Sequence, residues 1–319
     1  MKKLRVFQKV NQRKAVQVLS LKGICTVFLV FLLLPYAVSV LWGNYGKEKE
    51  VPALEVRLQT GAFTVKNKTA LGEEEIPLEY YVADQLSRCM DSSYEKETLK
   101  AQAVLIRTNL VREAGNGIET ADEDYGKREV PEICKEAAAE TKGMILEYEG
   151  KPIYGAYFTS SSGYTRSGDK TLPYQEYPYL VSVPCGKDYL AEGYYSAVTY
   201  SKENFDRIWQ QMPKLSDEGK EQSGNEKFTY VRDSAGYVLA VGYRGEWASG
   251  EEMRYTYLLS SSDFHILEEE NEYVIEVTGE GHGFGMSRFT ANEMAKEGKD
   301  FLSILNYFFE KAELTKIER

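Results

Sequence analysis

The sequence predicts an α+β fold in which one exported, mixed α/β domain with several hairpins follows a single N-terminal transmembrane helix. Three observations predict it. Residues 23–43 are uncharged and mostly apolar, apolar residues recur at helical spacing from Leu99 to Leu110, and from Met144 onward short strand-like runs alternate with turn residues. Because no repeat or composition break divides residues 51–316, we expect them to form one domain.

The N-terminal residues have the pattern of a membrane anchor. Residues 1–22 carry seven Lys or Arg and no acid, and residues 23–43 are about as long as the 20 residues that a bilayer crossing needs. Basic residues stay in the cytoplasm, so we expect a single-pass protein of the cell membrane with a cytoplasmic N-terminus. Residues 44–50 are then a linker to an extracytoplasmic domain. A cleaved signal peptide is the alternative, with a weak cleavage site at residues 37–39.

Charge excludes one class of partner. The net charge is −10, but outside residues 1–22 the chain holds 32 basic and 49 acidic residues, a net charge of −17. Since phosphate binding needs a basic surface, we expect no nucleic-acid partner. The chain also contains 24 tyrosines. They fit either a platform for sugar rings or a tyrosine-rich sheet.

Two helices are predicted on either side of a polar break at residues 91–94. Pro77 stands where the first can begin. Their apolar stripes are Leu78, Val82 and Leu86 in the first helix, and Leu99, Ala103, Ile106 and Leu110 in the second. Lys100 and Arg107 share a different face of the second helix.

The remaining elements follow from alternation, turn residues and caps. Before Met144 we predict a hairpin at 51–65, a loop at 113–129 and a helix at 131–142. After it we predict a hairpin turning at Glu149 and Gly150, a connection at 166–190, a helix at 201–211, a surface insertion at 214–227, a hairpin at 229–242, a helix at 249–258, a strand at 273–278 and a helix at 289–296.

A glycine-rich segment, GEGHGFGMS at residues 279–287, surrounds His282. It lacks the GK[ST] of a phosphate loop and the spacing of a dinucleotide fingerprint. Its glycines allow a turn that presents an imidazole at a cleft. His282 therefore has two interpretations, a structural turn residue or a substrate contact.

A second segment, FTSSSGYT, offers the hydroxyls of Ser160, Ser161 and Ser162. Such a loop suits a polar ligand, although a polar hairpin tip is the alternative. A serine hydrolase with His282 as base would be a third interpretation, but the chain has no G-x-S-x-G elbow.

The cysteines leave the redox chemistry open. Cys89, Cys134 and Cys185 follow the apolar run, which itself contains Cys25. They allow one disulfide and a free thiol, or three free thiols. With only two histidines in the chain, we expect no structural zinc site.

Five segments, in this order, resemble the stage II sporulation protein D and amidase-enhancer family. They are IPLEYYVADQLSRCM, ETLKAQAVLIRT, FTSSSGYT, SGEEMR…LLSSSDFHI and GHGFGMSRFTANEMAKEGKDFLSILNYFF. The similarity covers roughly residues 50–316, and the second and last segments are specific as a pair. It implies a helix pair beside a cleft, in a domain behind a membrane anchor.

The resemblance implies peptidoglycan remodelling in sporulation, during engulfment, by lytic transglycosylase action on glycan strands that carry no peptides. A membrane-anchored cell-wall amidase is the implied partner, and no cofactor is implied. In the family reaction one carboxylic acid protonates the oxygen between N-acetylmuramic acid and N-acetylglucosamine. It then accepts the proton of the muramic C6 hydroxyl as a 1,6-anhydro ring closes. The alternative is a non-catalytic glycan-binding partner or enhancer of an amidase.

The catalytic position departs from the family pattern. The family's glutamate stands directly before a methionine, and because Met90 and Glu97 align without a gap, Cys89 occupies that position. A thiol is neutral at pH 7 but a poor acid toward a glycosidic oxygen. Cys89 also continues the first apolar stripe, so core packing is its alternative role. Four neighbouring acids would substitute only if one pointed into the cleft: Asp84, Asp91, Glu95 and Glu97.

Other positions carry over from the family as implied glycan contacts. They are Lys100, Gln102 and Arg107 in the second helix, Ser160, Ser161 and Ser162 in the serine loop, and His282 and Ser287 in the glycine-rich segment. Some relatives hold a metal near the serine loop through Cys and His. FTSSSGYT has neither, so we expect none here. Arg288 replaces the usual glutamine, and Tyr164 replaces a usual glycine.

Overall fold

The computed structural model describes residues 63–113, 117–168, 177–216 and 227–317. The predicted basic head, transmembrane helix and linker lie outside these residues, as do nearly all of the predicted hairpin at 51–65 and much of the insertion at 214–227. Among the described helices, none has both the length and the apolar character needed to cross a bilayer.

The described part of the chain opens with a polar hairpin. Strand β1 (Thr64–Thr69) pairs antiparallel with β2 (Gly72–Pro77), and the short strand β3 (Ile118–Thr120) runs parallel to β1. Strand β3 lies within residues 113–129, so the prediction of a continuous loop there was wrong. Only three residues pair, which is too short a run for alternation to show.

Both helices of the predicted pair are present. Helix α1 (Leu78–Cys89) begins directly after Pro77 and buries the three predicted apolar residues, Leu78, Val82 and Leu86. The predicted polar break follows, and helix α2 (Lys96–Glu113) then runs for 18 residues.

Helix α2 is buried on two sides. Leu99, Ala103 and Ile106 pack into a first apolar cluster with α1, whereas Ala101, Val104 and Leu105 belong to a second cluster. The prediction of a single apolar face was therefore too narrow. Alanines at both contacts let the neighbouring elements approach α2 closely. Helix α2 therefore lies between the two apolar clusters, at the centre of the domain.

Several later elements match the prediction closely. Helix α3 (Glu132–Glu140) ends before Gly143, whose φ of +70° suits a turn out of a helix. Strands β4 (Met144–Tyr148) and β5 (Lys151–Pro152) form the hairpin turning at Glu149 and Gly150, and β14 (Glu313–Lys316) pairs antiparallel with β4. This sheet packs against α2.

Two further sheets and two helices enclose a third apolar cluster, which is rich in aromatic side chains. One sheet has the order β11-β12-β7 (Phe264–Glu268, Glu272–Thr278, Tyr195–Ser201) and the other β10-β9-β8 (Glu246–Ser249, Val238–Tyr243, Phe228–Arg232). Helices α4 (Lys202–Gln211) and α5 (Gly250–Thr256) begin at the caps Ser201 and Ser249. Tyr243, Tyr257 and Tyr273 are fully buried around Phe205, so these three tyrosines serve packing.

A short parallel pair joins the middle of the chain to its end. Strand β6 (Tyr157–Phe158) pairs with β13 (Met286–Ser287), and helices α6 (Arg288–Lys296) and α7 (Phe301–Phe308) follow. Both helices contact α2. This pairing brings the serine loop after β6 beside the glycine-rich segment before α6.

Candidate functional site

Three distant segments meet at the side chain of Arg288, the first residue of α6. Its guanidinium donates one hydrogen bond to the backbone oxygen of Cys89, at the end of α1, and another of 2.6 Å to Thr159 Oγ1, just after β6. The burial of Tyr94 raises the pKa of its phenol, and the charges of Arg288 and Glu280 both act on it. We call Cys89, Tyr94, Thr159, Glu280 and Arg288 the junction site.

A second contact fixes the start of α2 against α6. The side-chain oxygen of Asn292 accepts hydrogen bonds from the backbone N–H of Glu95 at 2.8 Å and from the hydroxyl of Thr98 at 3.4 Å. Gln102 lies one helical turn beyond Thr98 and is fully buried. Neither polar atom of its amide has a hydrogen-bond partner among the described residues.

The glycine-rich segment lies against β6 more closely than any side chain would permit. A Cβ on Gly281 would stand 2.4 Å from Phe158 Cβ, and one on Gly285 would stand 2.2 Å from the backbone oxygen of Ala156. Both glycines also have positive φ, +118° and +74°. These glycines therefore allow two backbone segments to approach each other closely.

The three serines have different environments. Ser160 is fully buried and forms two backbone hydrogen bonds with Glu280. Its C=O accepts the Glu280 N–H at 2.8 Å, and its N–H donates to the Glu280 C=O at 3.0 Å. Ser161 is also fully buried, and its hydroxyl accepts the Gly163 N–H at 3.2 Å. The backbone N–H of Ser162 donates to the Tyr237 hydroxyl at 3.4 Å.

Asp188, which the sequence analysis did not single out, holds the two loops together. Its buried carboxylate accepts the Ser161 backbone N–H at 2.6 Å, the Ser287 hydroxyl at 2.8 Å and the Thr290 hydroxyl at 2.6 Å. Burial raises the pKa of Asp188, although these hydrogen bonds oppose the shift. Ser287 thus has a structural contact, and it also caps α6 by accepting the Thr290 N–H.

His282 sits in the turn as a neutral imidazole. Its Nδ1 accepts the backbone N–H of Phe284 at 3.1 Å, and its ring packs against those of Phe158 and Phe284. Burial and the nearby Arg254 lower the pKa of His282 to about 4. Within the described part of the chain no serine of the loop hydrogen-bonds to it, so nothing there supports a serine-hydrolase arrangement.

Cys89 is half-buried and its thiol is protonated at neutral pH. Burial raises the pKa of Cys89 to about 11, and its Sγ donates a weak hydrogen bond to the Leu86 backbone oxygen at 3.5 Å. The neighbouring Tyr157 has its pKa raised to about 12, again mainly by burial. The side chain also packs against the first apolar cluster.

The structure gives Lys100 and Arg107 protein partners. Lys100 pairs with Glu97 at 2.9 Å and lies 4.6 Å from the centre of the Phe301 ring. Arg107 is fully buried, forms an ion pair with Glu79 and donates to the Met144 backbone oxygen at 3.0 Å. Arg107 thus ties α1, α2 and β4 together. Glycan contacts by these two residues stay predictions, and the junction site does not include them.

The structure also places the four acids that the sequence offered for the role of the family's glutamate. Asp84 is buried and forms an ion pair with Arg88. Glu97 pairs with Lys100 and accepts the Phe301 backbone N–H at 2.8 Å. Asp91 accepts the Ser93 N–H at 2.8 Å from an exposed turn, and Glu95 is exposed.

The three described cysteines are free thiols, and Cys134 and Cys185 are buried. Of the two arrangements that the sequence allowed, the structure shows the one without a disulfide. In the described ranges no three His, Cys, Asp or Glu side chains come together in a group able to hold a metal ion.

Comparison with known proteins supports the resemblance found in the motifs. A family model described as Stage II sporulation protein matches residues 66–148. The stage II sporulation protein D of Bacillus subtilis (strain 168) is 29% identical over 270 residues, which cover 77% of this chain and 76% of that protein. The protein of the same name from Bacillus amyloliquefaciens is 28% identical over 269 residues, covering 77% of this chain and 76% of that protein.

The amidase enhancer of Bacillus subtilis (strain 168) is 26% identical over 281 residues, which cover 71% of this chain and 39% of that longer protein. The resemblance to the stage II sporulation protein D and amidase-enhancer family is therefore confirmed. The matched segment 66–148 contains α1, α2 and Cys89, but ends before the serine loop and the glycine-rich segment.

Proposed function

We propose that this relative of stage II sporulation protein D remodels peptidoglycan during sporulation, acting as a lytic transglycosylase on glycan strands from which the peptides have been removed. The names of its relatives support a role at the cell wall in sporulation. The chemistry proposed is cleavage of the bond between N-acetylmuramic acid and N-acetylglucosamine, with closure of a 1,6-anhydro ring.

One observation carries the proposal. Arg288 joins the end of α1 to Thr159 of the serine loop, so three of the five segments that resemble the family meet at one place although they are far apart in the chain. Half-buried polar groups converge there from the end of α1, the serine loop and the glycine-rich segment. Such convergence of polar groups is typical of a binding site for a polar ligand.

The proposal includes a location and partners. Residues 23–43 would anchor the chain in the cell membrane with residues 1–22 in the cytoplasm, and residues 51–316 would face the wall as one domain. Glycan strands would be the substrate, and a membrane-anchored cell-wall amidase, which supplies strands without peptides, would be the protein partner. The acidic composition outside residues 1–22 supports the absence of a nucleic-acid partner.

The test is incubation of the purified full chain with peptide-free glycan strands, followed by mass spectrometry of the products. We expect fragments ending in 1,6-anhydro-muramic acid, which hydrolysis cannot produce. Products with reducing muramic ends, or no products at all, would contradict the proposed reaction.

A second candidate function is supported by Cys89. The position at which the motif resemblance places the family's glutamate holds a thiol whose pKa is about 11, and such a thiol cannot perform the family's acid step in the same way. A non-catalytic protein would then bind glycan strands and enhance an amidase. It would co-sediment with strands and raise the rate of a cell-wall amidase without releasing anhydro products. Failure of both measurements would exclude it.

A further inference from the structure

The proposed reaction needs a carboxyl group, and most acids near the junction site already have other partners. Asp84 forms an ion pair with Arg88, and Glu97 forms one with Lys100. Asp188 accepts three hydrogen bonds and is buried, so no ligand reaches it. Glu293 pairs with Lys296 at 2.8 Å. Glu280 differs from Asp84, Glu97 and Glu293 because the described residues form no ion pair with it, and from Asp188 because it is half-buried rather than buried.

The backbone of Glu280 is held rigidly. It lies between two closely packed glycines. A Cβ on Gly279 would stand 2.9 Å from the Ser160 backbone oxygen, and one on Gly281 would stand 2.4 Å from Phe158 Cβ. Its own N–H and C=O groups bond to Ser160 at 2.8 and 3.0 Å, and its C=O also accepts the Thr159 N–H at 3.1 Å. A catalytic side chain needs such a fixed support, because small displacements cost much of its rate.

The carboxylate of Glu280 is oriented by a chain of hydrogen bonds from Arg288. Arg288 donates to Thr159 Oγ1 at 2.6 Å, so the hydroxyl proton of Thr159 is directed elsewhere, and Glu280 Oε1 lies 3.2 Å from the same oxygen. Thr159 is therefore the donor to Glu280. The second carboxylate oxygen remains to carry a proton to a ligand.

The surroundings suit an acid that works on a bound sugar. Glu280 is half-buried, and its charge acts on the phenol of Tyr94, which lies in the turn between α1 and α2. Arg288 contacts the backbone of Cys89 and, through Thr159, the side chain of Glu280. The Glu280 carboxylate and Cys89 thus belong to the same junction site. Glu280 enters it from the glycine-rich segment, and Cys89 enters it from the end of α1.

We propose that Glu280 is the acid and base of the proposed transglycosylase reaction, in place of the glutamate that Cys89 replaces; this inference rests on the proposed function. Protonated Glu280 gives its proton to the glycosidic oxygen as the bond from muramic C1 to that oxygen breaks. The C6 hydroxyl of the same muramic residue then bonds to C1 and returns its proton to the Glu280 carboxylate. One bond to C1 is exchanged for another, and no water is consumed.

Thr159 and Arg288 act in this proposal as positioning residues. They hold the Glu280 carboxylate without donating a proton to the sugar. Their removal would disturb the position of Glu280, whereas removal of the Glu280 carboxyl would stop the proton transfer itself.

The test compares the full-length chain with two matched variants, Glu280→Gln and Glu269→Gln, on peptide-free glycan strands. Each variant removes one carboxylate, but Glu269 is exposed in the turn between β11 and β12. We expect Glu280→Gln to lower the rate of anhydro-muramic product formation by about 100-fold or more, the usual loss for a general acid and base. Glu269→Gln should change the rate by less than about threefold.

Strand co-sedimentation and thermal unfolding of each variant separate loss of chemistry from loss of binding or folding. Glu280→Gln should bind strands and unfold as the natural chain does. An active natural chain whose Glu280→Gln variant keeps its rate would overturn this inference and leave the proposed function intact. A natural chain that binds strands but forms no anhydro product would overturn both, and the non-catalytic function would remain.

Discussion

At the scale of single residues, Asp188 links the parts of the candidate site that no sequence motif joined. One carboxylate receives donors from Ser161, Ser287 and Thr290, and so connects the serine loop to the start of α6. The signal for it in the sequence is one acid in a loop, with no periodicity or motif around it. Its role became visible only because folding buries it among three donors.

Replacement of Asp188 by Ala should lower the free energy of unfolding by about 3 kcal/mol or more, because several buried donors lose their acceptor at once. Asp188→Asn keeps one acceptor oxygen and should lose clearly less. Urea denaturation of the full chain measures both. Equal stability of the Ala variant and the natural chain would show that water replaces the carboxylate without cost.

The Cys89 thiol should react slowly and with a marked dependence on pH. With a pKa of about 11, its thiolate fraction near pH 7.5 is about 300-fold below that of an ordinary cysteine of pKa about 8.5. Alkylation by iodoacetamide, followed by mass spectrometry of the Cys89 peptide, should accelerate about tenfold per pH unit up to about pH 11.

The control for this measurement is the same peptide in the denatured chain, which should label rapidly at pH 7.5. A folded-state labelling rate within tenfold of the denatured one would contradict the raised pKa of the half-buried Cys89 thiol. It would also weaken the argument that this position lacks the family's acid function.

At the scale of elements, the sequence predicted long or capped elements well and short or polar ones poorly. Helix α1 was placed by Pro77, and α5 by its serine cap at Ser249. The β1 and β2 hairpin was missed because both strands are largely polar. Even the buried positions of β1 include a polar residue, Asn67, so the sequence shows little alternation of apolar and polar residues. The periodicity of α2 gave one buried face, but two clusters pack on it.

The glycine-rich segment supplies a direct test at this scale. Gly285→Ala should lower the free energy of unfolding by about 3 kcal/mol, since a positive φ costs about 1–2 kcal/mol and the new Cβ would meet the Ala156 backbone. Gly298→Ala is the matched control, because Gly298 has a φ of +86° but open space around it. Gly298→Ala should lower the free energy of unfolding by only about 1–2 kcal/mol, the cost of the backbone strain. Equal losses in the two variants, measured by urea denaturation, would contradict the packing argument.

At the scale of the whole molecule, the sequence identified the parts of the candidate site but not all of its members. The motifs pointed to the end of α1, the serine loop and the glycine-rich segment, and these do meet. Motif matching also selected Arg107, which pairs with Glu79 in the core, and it could not rank Glu280 among 49 acids. Burial and pairing decide between such residues, and both are properties of the folded chain.

Charge at this scale predicts how glycan binding depends on salt. The chain outside residues 1–22 carries a net charge of −17, and a strand stripped of peptides carries muramic carboxylates. Because added salt screens this repulsion, binding should stay constant or tighten as NaCl rises from about 50 to about 300 mM. Co-sedimentation with strands measures it. A strong loss of binding with salt would indicate that cationic side chains, such as Lys100, dominate the contact instead.

The hydrogen bond from Arg288 to Cys89 also has a consequence for the order of folding. It joins residues 199 positions apart, and the bond between Asn292 and Glu95 spans 197. A chain that leaves the ribosome from its N-terminus can form α1 and α2 long before α6 exists, and contacts of such separation are slow to close. The candidate site is therefore completed late in folding, so a chain interrupted before residue 288 would contain most of the motifs but no assembled site.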